Sequence, residues 1–169
     1  YGDGFKKFIK VTISANPFTK EIYKCDVSLE GEELSEPEVA MTHIAELEAE
    51  RYNVIKFWGD GAYDTHDLFD ILDQYNIKSA VKIRKNAVVD PGGGSVRRSI
   101  EVKKYQALGY EKWAEKQQYG MRWTGTEGIF SSIKLKFGEK TRTKKEENMI
   151  KEAKRKIWAY ETIRKYAQA

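Results

Sequence analysis

The sequence predicts an α/β fold, a mixed sheet flanked by helices. Three observations carry this expectation: two alternating runs joined by a turn near the amino end, a nearly continuous apolar strand further on, and helical patterns interleaved with strands. Phe5 to Ser14 alternates, with Ile9, Val11 and Ile13 on one face and Phe8, Lys10 and Thr12 on the other, as a half-buried strand does. Asn16-Pro17 turns the chain, and Tyr23, Cys25 and Val27 then alternate with Ile22, Lys24 and Asp26, completing an antiparallel hairpin. Ser35 stands three residues before Glu38, with Leu34 and Val39 around it, the spacing of a capping box and hydrophobic staple. A helix follows to about Tyr52, with Ala40, Ile44 and Leu47 facing inward.

Val54-Ile55-Lys56-Phe57-Trp58 reads as a strand covered on both faces, hence central and parallel, and it ends at Gly59-Asp60-Gly61. Asp64 or Thr65 caps a short helix whose inner side is Leu68, Ile71, Leu72 and Tyr75, and Ile77 to Arg84 is a further strand. From Lys85 to about Gln118 the periodicity fades around the loop Asp90-Pro91-Gly92-Gly93-Gly94-Ser95 and the pairs Arg97-Arg98 and Lys103-Lys104, so residues 85–118 are expected to form a basic insertion. Two helices close the chain. One runs from about Thr126 to Phe137 and stops at Gly138; the other runs from about Lys145 to Tyr166, with Glu147–Lys151 and Glu152–Lys156 as favourable pairs one turn apart. With no repeat and no linker, residues 1–169 are expected to form one domain.

Composition narrows the function classes. Apolar residues make up 40%, enough for a core, while no apolar run approaches the length of a membrane span. No signal peptide is visible, and the lone Cys25 cannot form an internal disulfide, which together point to a reducing, cytoplasmic compartment. With His43, His66 and Cys25 as the only soft ligands, a four-ligand structural zinc site is excluded. The net charge of +4 hides a segregation: residues 26–80 sum to −11 and residues 81–169 to +12. The stretch from Lys134 onward alone carries 12 bases and five acids. Clustered bases of this kind suit a polyanion such as DNA, although solvated helix faces would look the same in sequence.

Two acids stand out. Asp60, at the carboxyl end of an apolar strand and flanked by glycines, occupies the position at which open α/β sheets bind ligands; Gly-Asp-Gly is also ordinary turn chemistry. Glu127 begins a helix, with Ser131 and Lys134 at positions that share its face, so an acid able to hold a metal and a base able to hold phosphate look the same way. A glutamate in a first helical turn is equally a favourable surface residue. Trp123 and Trp158 could stack on bases, but beside helices both are expected in the core.

The string Tyr119-x2-Arg122-x4-Glu127-x6-Lys134, with Phe130-Ser131 and Phe137-Gly138-Glu139, resembles the Tyr-Arg-Glu-Lys signature of insertion-sequence transposases of the DDE class. Trp58-Gly59-Asp60-Gly61-Ala62-Tyr63-Asp64 is similar to their second-aspartate motif, and Ile83-Arg84-Lys85-Asn86 to the basic strand end that follows it. The resemblance implies a ribonuclease-H-like fold in which two aspartates and a glutamate hold two divalent cations, Mg²⁺ with Mn²⁺ as substitute. By the same resemblance Asp60 would be the second acid and Glu127 the third, both catalytic and metal-binding, while Tyr119, Arg122 and Lys134, with Arg84 and Lys85, would contact DNA. The implied partners are transposon terminal repeats and target DNA, with no membrane, and the implied location is the cytoplasm with the nucleoid. Whether the protein acts as a homodimer is left open.

Two departures from the family pattern matter. The Arg122–Glu127 interval holds four residues where the signature has three, so a local irregularity must absorb one. The first aspartate, with its central strand, is missing ahead of the hairpin, so the chain reads as an amino-terminally truncated catalytic domain; Asp3 is the nearest acid and stands in a glycine-flanked stretch. Loss of a central strand predicts either direct pairing of the hairpin with Val54–Trp58 or dependence on a partner strand, because unpaired inner edges are costly. Three functions follow as alternatives: a transposase fragment that cleaves and joins DNA, an inactive remnant that only binds DNA, and an unrelated nucleic-acid-binding module, which would explain the charge but not the ordered acids.

Overall fold

A computed structural model describes residues 8–31, 34–89, 92 and 94–167. Asp3 lies outside them, as does part of the loop at 90–95. The chain divides into two compact units, one built from residues 1–34 and 124–169 and the other from residues 35–123.

In the first unit, β1 (Ile9–Ala15) pairs antiparallel with β2 (Ile22–Leu29) in the register Ile9↔Leu29 to Ile13↔Cys25. The Asn16 side chain shapes the turn by accepting the Phe18 and Thr19 N–H groups. A two-stranded hairpin is marginal alone and needs helix cover. That cover comes from α4 (Gly128–Phe137) and α5 (Glu146–Ala167). Ile129, Ile133, Ala153, Ile157 and Tyr160 pack with Ile13 and Val27. At the open end of β2 the Ile22 N–H donates to Glu161 Oε1 at 3.2 Å, and Arg164 pairs with Glu161 at 3.1 Å and Glu21 at 3.8 Å. Both expected pairs on α5 form: Lys151 with Glu147, and Lys156 with Glu152 at 3.4 Å.

The second unit begins at α1 (Glu36–Ala49), where the capping box is present with both halves: Ser35 accepts the Glu38 N–H and the Glu38 carboxylate accepts the Ser35 N–H. Strands β3 (Lys56–Gly59) and β4 (Lys78–Val81) pair in parallel, joined by α2 (His66–Gln74), and α3 (Val96–Lys116) packs against α2. Thr65 is the cap of α2. The core here is Ala40, Ile44, Leu68, Phe69, Leu72, Ile77, Val81, Ile83 and Val102.

Three expectations change. The described strands form two separate two-stranded sheets, so the hairpin does not pair with β3 and one continuous mixed sheet is not formed. Each short sheet lies in its own compact unit, where helices of that unit cover its apolar side chains. The apolar run at 54–58 is also less covered than its composition implied. Ile55 is exposed and Phe57 and Trp58 are half-buried, because among the described residues β3 has a ladder partner along one edge only. Finally, most of the stretch 85–118 is helix. Its periodicity is broken by Gly109, whose φ of +73° kinks α3 between the turns that bury Val102 and Trp113.

Candidate functional site

Gly59 ends β3 in tight surroundings: a Cβ there would lie 2.9 Å from both Phe57 and Tyr63. The chain can therefore turn sharply into a 3-10 turn at Gly61–Tyr63, and Asp60 caps that turn, its Oδ1 accepting the Ala62 N–H at 2.9 Å. The Asp60 side chain remains 44% exposed, and its Oδ2 lies 3.7 Å from Arg122 Nη1. Arg122 is held by two rings, with its guanidinium carbon 4.5 Å from the Trp123 centroid and 5.6 Å from that of Tyr119. Such cation–π placement restricts the guanidinium without neutralising it.

The turn is buttressed from below by Asp64. Its side chain is fully buried, accepts two hydrogen bonds from Arg98 at 2.7 and 3.2 Å, and accepts the Arg84 N–H at 3.0 Å. The Arg84 guanidinium donates to Gly61 O at 2.8 Å and Ala62 O at 3.4 Å. Arg84 is thus a clamp on the Asp60 turn, a role its place in a basic strand end did not suggest, while neighbouring Lys85 is exposed. Tyr119 is 4% exposed, with its ring 5.1 Å from that of Trp113. Burial raises the pKa of its phenol, and the positive charge of Arg122 partly offsets this. Tyr119 reaches the site by stacking under Arg122 rather than by presenting its own hydroxyl to solvent. The same neighbourhood is tied down by Lys56, whose ammonium donates to Gln117 O at 2.7 Å and lies over Trp58.

Glu127 belongs to the other unit. It is exposed at the end of a π turn, Trp123–Glu127, that leads into α4. The four-residue interval between Arg122 and Glu127 coincides with this turn. A π turn closes rings one residue larger than an α turn, so it takes up a single extra residue within a helix. Gly125 within it packs on Pro17 of the hairpin turn, where an added Cβ would stand 3.2 Å from two atoms of the proline. Glu127, Ser131 and Lys134 are all exposed while Ile129 and Ile133 are buried, as their helical spacing requires. The Lys134 ammonium pairs with Glu139 at 2.6 Å. Trp123 and Trp158, expected in the core, are both exposed: α5 turns Trp158 away from the stripe of Met149, Ala153, Ile157 and Tyr160, and Trp123 instead covers Arg122.

The sequence model of one family, described as the transposase DDE domain, matches residues 2–162. The chain belongs to that family. No curated protein and no solved structure is significantly similar to it. Transposases act on DNA and, as a family, DDE domains use divalent metal ions. Asp60 fits such a use as one ligand, a hard oxygen donor that is half-exposed at a strand end. Among the described residues no three side chains of metal-binding type gather into one cluster. Among the described residues, too, no helix is long and apolar enough to cross a membrane.

The pair that sequence inspection missed is Asp64–Arg98. Asp64 was expected at most to cap α2, and Arg98 belonged to the basic insertion; residues 34 apart that meet in a buried ion pair leave no local periodicity to detect.

Proposed function

We propose that this DDE domain is the catalytic part of a DNA transposase, cleaving and joining strands at transposon ends with Mg²⁺, for which Mn²⁺ can substitute. The observation that carries the proposal is the Asp60 turn: a carboxylate at the end of β3, half-exposed, beside an arginine fixed by two aromatic rings. Asp60 and Glu127 are the proposed metal-binding acids, and Arg122, Lys134 and Lys85 the proposed contacts to DNA phosphates. When bound, the cation would supply activation of a water or 3′-hydroxyl and stabilisation of the leaving oxygen in an in-line displacement. The chain's own part is to hold the acids and the phosphate. Arg122 offers a planar fork of donors suited to phosphate oxygens, and Tyr119, stacked beneath it, positions that fork. Arg84 keeps Asp60 in place through the carbonyls of its turn.

A second proposal, a protein that binds DNA without cutting it, is supported by the dense basic stretch from Lys134 onward. Incubation with supercoiled DNA carrying candidate terminal repeats in Mg²⁺ or Mn²⁺ tests the choice. Nicked product that disappears in Asp60→Asn and Glu127→Gln supports the enzyme. Salt-sensitive binding with no product supports the DNA-binding remnant.

A further inference from the structure

We infer that Arg122 is an internal occupant of the Asp60 carboxylate, displaced by a divalent cation and thereby released toward a DNA phosphate. The inference rests on the proposal that Asp60 is a metal ligand.

Among its described residues the second unit contains three Arg–Asp pairs: a surface pair, Arg97 with Asp73 at 3.5 Å, and two of opposite character at the Asp60 turn. Arg98 and Asp64 meet at 2.7 and 3.2 Å, with the Asp64 side chain wholly buried, and the pair also receives a backbone N–H. That is a permanent structural bridge. Arg122 and Asp60 meet at one point, at 3.7 Å, with the carboxylate 44% exposed and the arginine side chain 18% exposed. That contact is long and water-accessible, and it is not needed to hold the turn, because Ala62 N–H satisfies Oδ1 and Arg84 clamps the carbonyls. Arg122 is also placed by the pair of rings, Trp123 and Tyr119.

Chemistry gives the contact a direction of exchange. A dication brings twice the charge of a guanidinium to the same oxygen and prefers hard carboxylate ligands. Once it is there, it repels Arg122, which stays charged at any accessible pH and keeps its fork of donors. The donors it had turned toward Asp60 are then offered to an anion, and phosphate matches the geometry of the fork. Cation at Asp60 and phosphate at Arg122 therefore favour each other, and the coupling is reciprocal.

The test is a Mn²⁺ titration, read by water-proton relaxation, of the full chain and of Arg122→Gln, Arg122→Met and Asp60→Asn, with melting curves to confirm folding. Arg122→Met keeps the aliphatic stem between the rings, so one of the two arginine variants should remain folded. Without DNA, the arginine variants should bind Mn²⁺ at least about threefold more tightly than wild type. In a second arm, affinity for a fluorescent duplex is measured with and without Mg²⁺. Wild type should gain severalfold from Mg²⁺, and the arginine variants should lose most of that gain, which a general change in field would not produce. If Asp60→Asn abolishes Mn²⁺ binding but the arginine variants bind as wild type or more weakly, displacement is wrong while the metal assignment stands. If Mn²⁺ binding is indifferent to Asp60→Asn, the metal assignment falls and this inference with it.

Discussion

Arg98 and Asp64 form a buried bidentate bridge, 2.7 and 3.2 Å long, directly beneath the turn that presents Asp60. A buried pair contributes less by its own attraction than its rupture costs, because a lone buried charge remains. Arg98→Ala is therefore expected to lose about 3–5 kcal/mol in urea unfolding. Replacing both partners, Asp64→Leu with Arg98→Met, should cost clearly less than Arg98→Ala alone. Equal losses for the single and double variants would show that the pair is not acting as a unit.

Gly59 has a different kind of necessity. Its backbone φ is ordinary, but a methyl group would press on Phe57 and on the Cβ and Cγ of Tyr63, atoms near the backbone that cannot swing away. Gly59→Ala should destabilise the protein by about 1–3 kcal/mol. It should also weaken whatever binds at Asp60, since Tyr63 shares the turn that Asp60 caps. A fully stable Gly59→Ala protein would mean that the turn is looser than its packing implies.

The π turn at Trp123–Glu127 makes an unusual expectation about deletions. Removing Thr124 allows the turn to close as an ordinary α turn, so the melting midpoint should hardly move. Removing Ser132 from α4 instead rotates buried Ile133 out of the first unit's core and should cost at least about 2 kcal/mol more. Comparable losses from the two deletions, read by circular dichroism melting, would refute the accommodation of an extra residue at 123–127.

Cys25 titrates high. Burial beneath α5, reinforced by the negative charge of Asp26, pushes its thiol from an ordinary value near 9 up to about 11. The unfolded chain therefore loses this proton first. The folding contribution is complete below about pH 9, declines as pH rises and is gone above about 11. Between pH 9 and 11 wild type should lose stability faster than Cys25→Ala, and alkylation by iodoacetamide at pH 8 should be slow until denaturant is added. Parallel stability curves for the two proteins would contradict this.

Local elements were legible in the sequence wherever a single segment carried its own signal. The capping box at Ser35 and Glu38, the hairpin alternation and the Glu–Lys pairs of α5 all depend on spacings of a few residues. Parallel pairing of β3 with β4 followed from their order around α2. What escaped depends on partners distant in sequence. The apolar composition of 54–58 does not say how many strands flank it, and the helix α3 is masked by the kink at Gly109. In the site, the motif picked out Asp60 and Arg122, but not that they face each other, nor that Arg84 spends its guanidinium on carbonyl groups. Tyr119 likewise looked like a surface contact until its ring was found against Trp113.

The account turns on Asp60 and Glu127 being metal ligands, and their effect on Mn²⁺ affinity tests this most directly. Wild type, Asp60→Asn and Glu127→Gln are titrated under one buffer condition, with melting curves to confirm folding. Each substitution replaces a hard carboxylate with a neutral amide and should clearly weaken Mn²⁺ binding. An Asp60→Asn or a Glu127→Gln protein that is folded and binds Mn²⁺ as wild type does would contradict it.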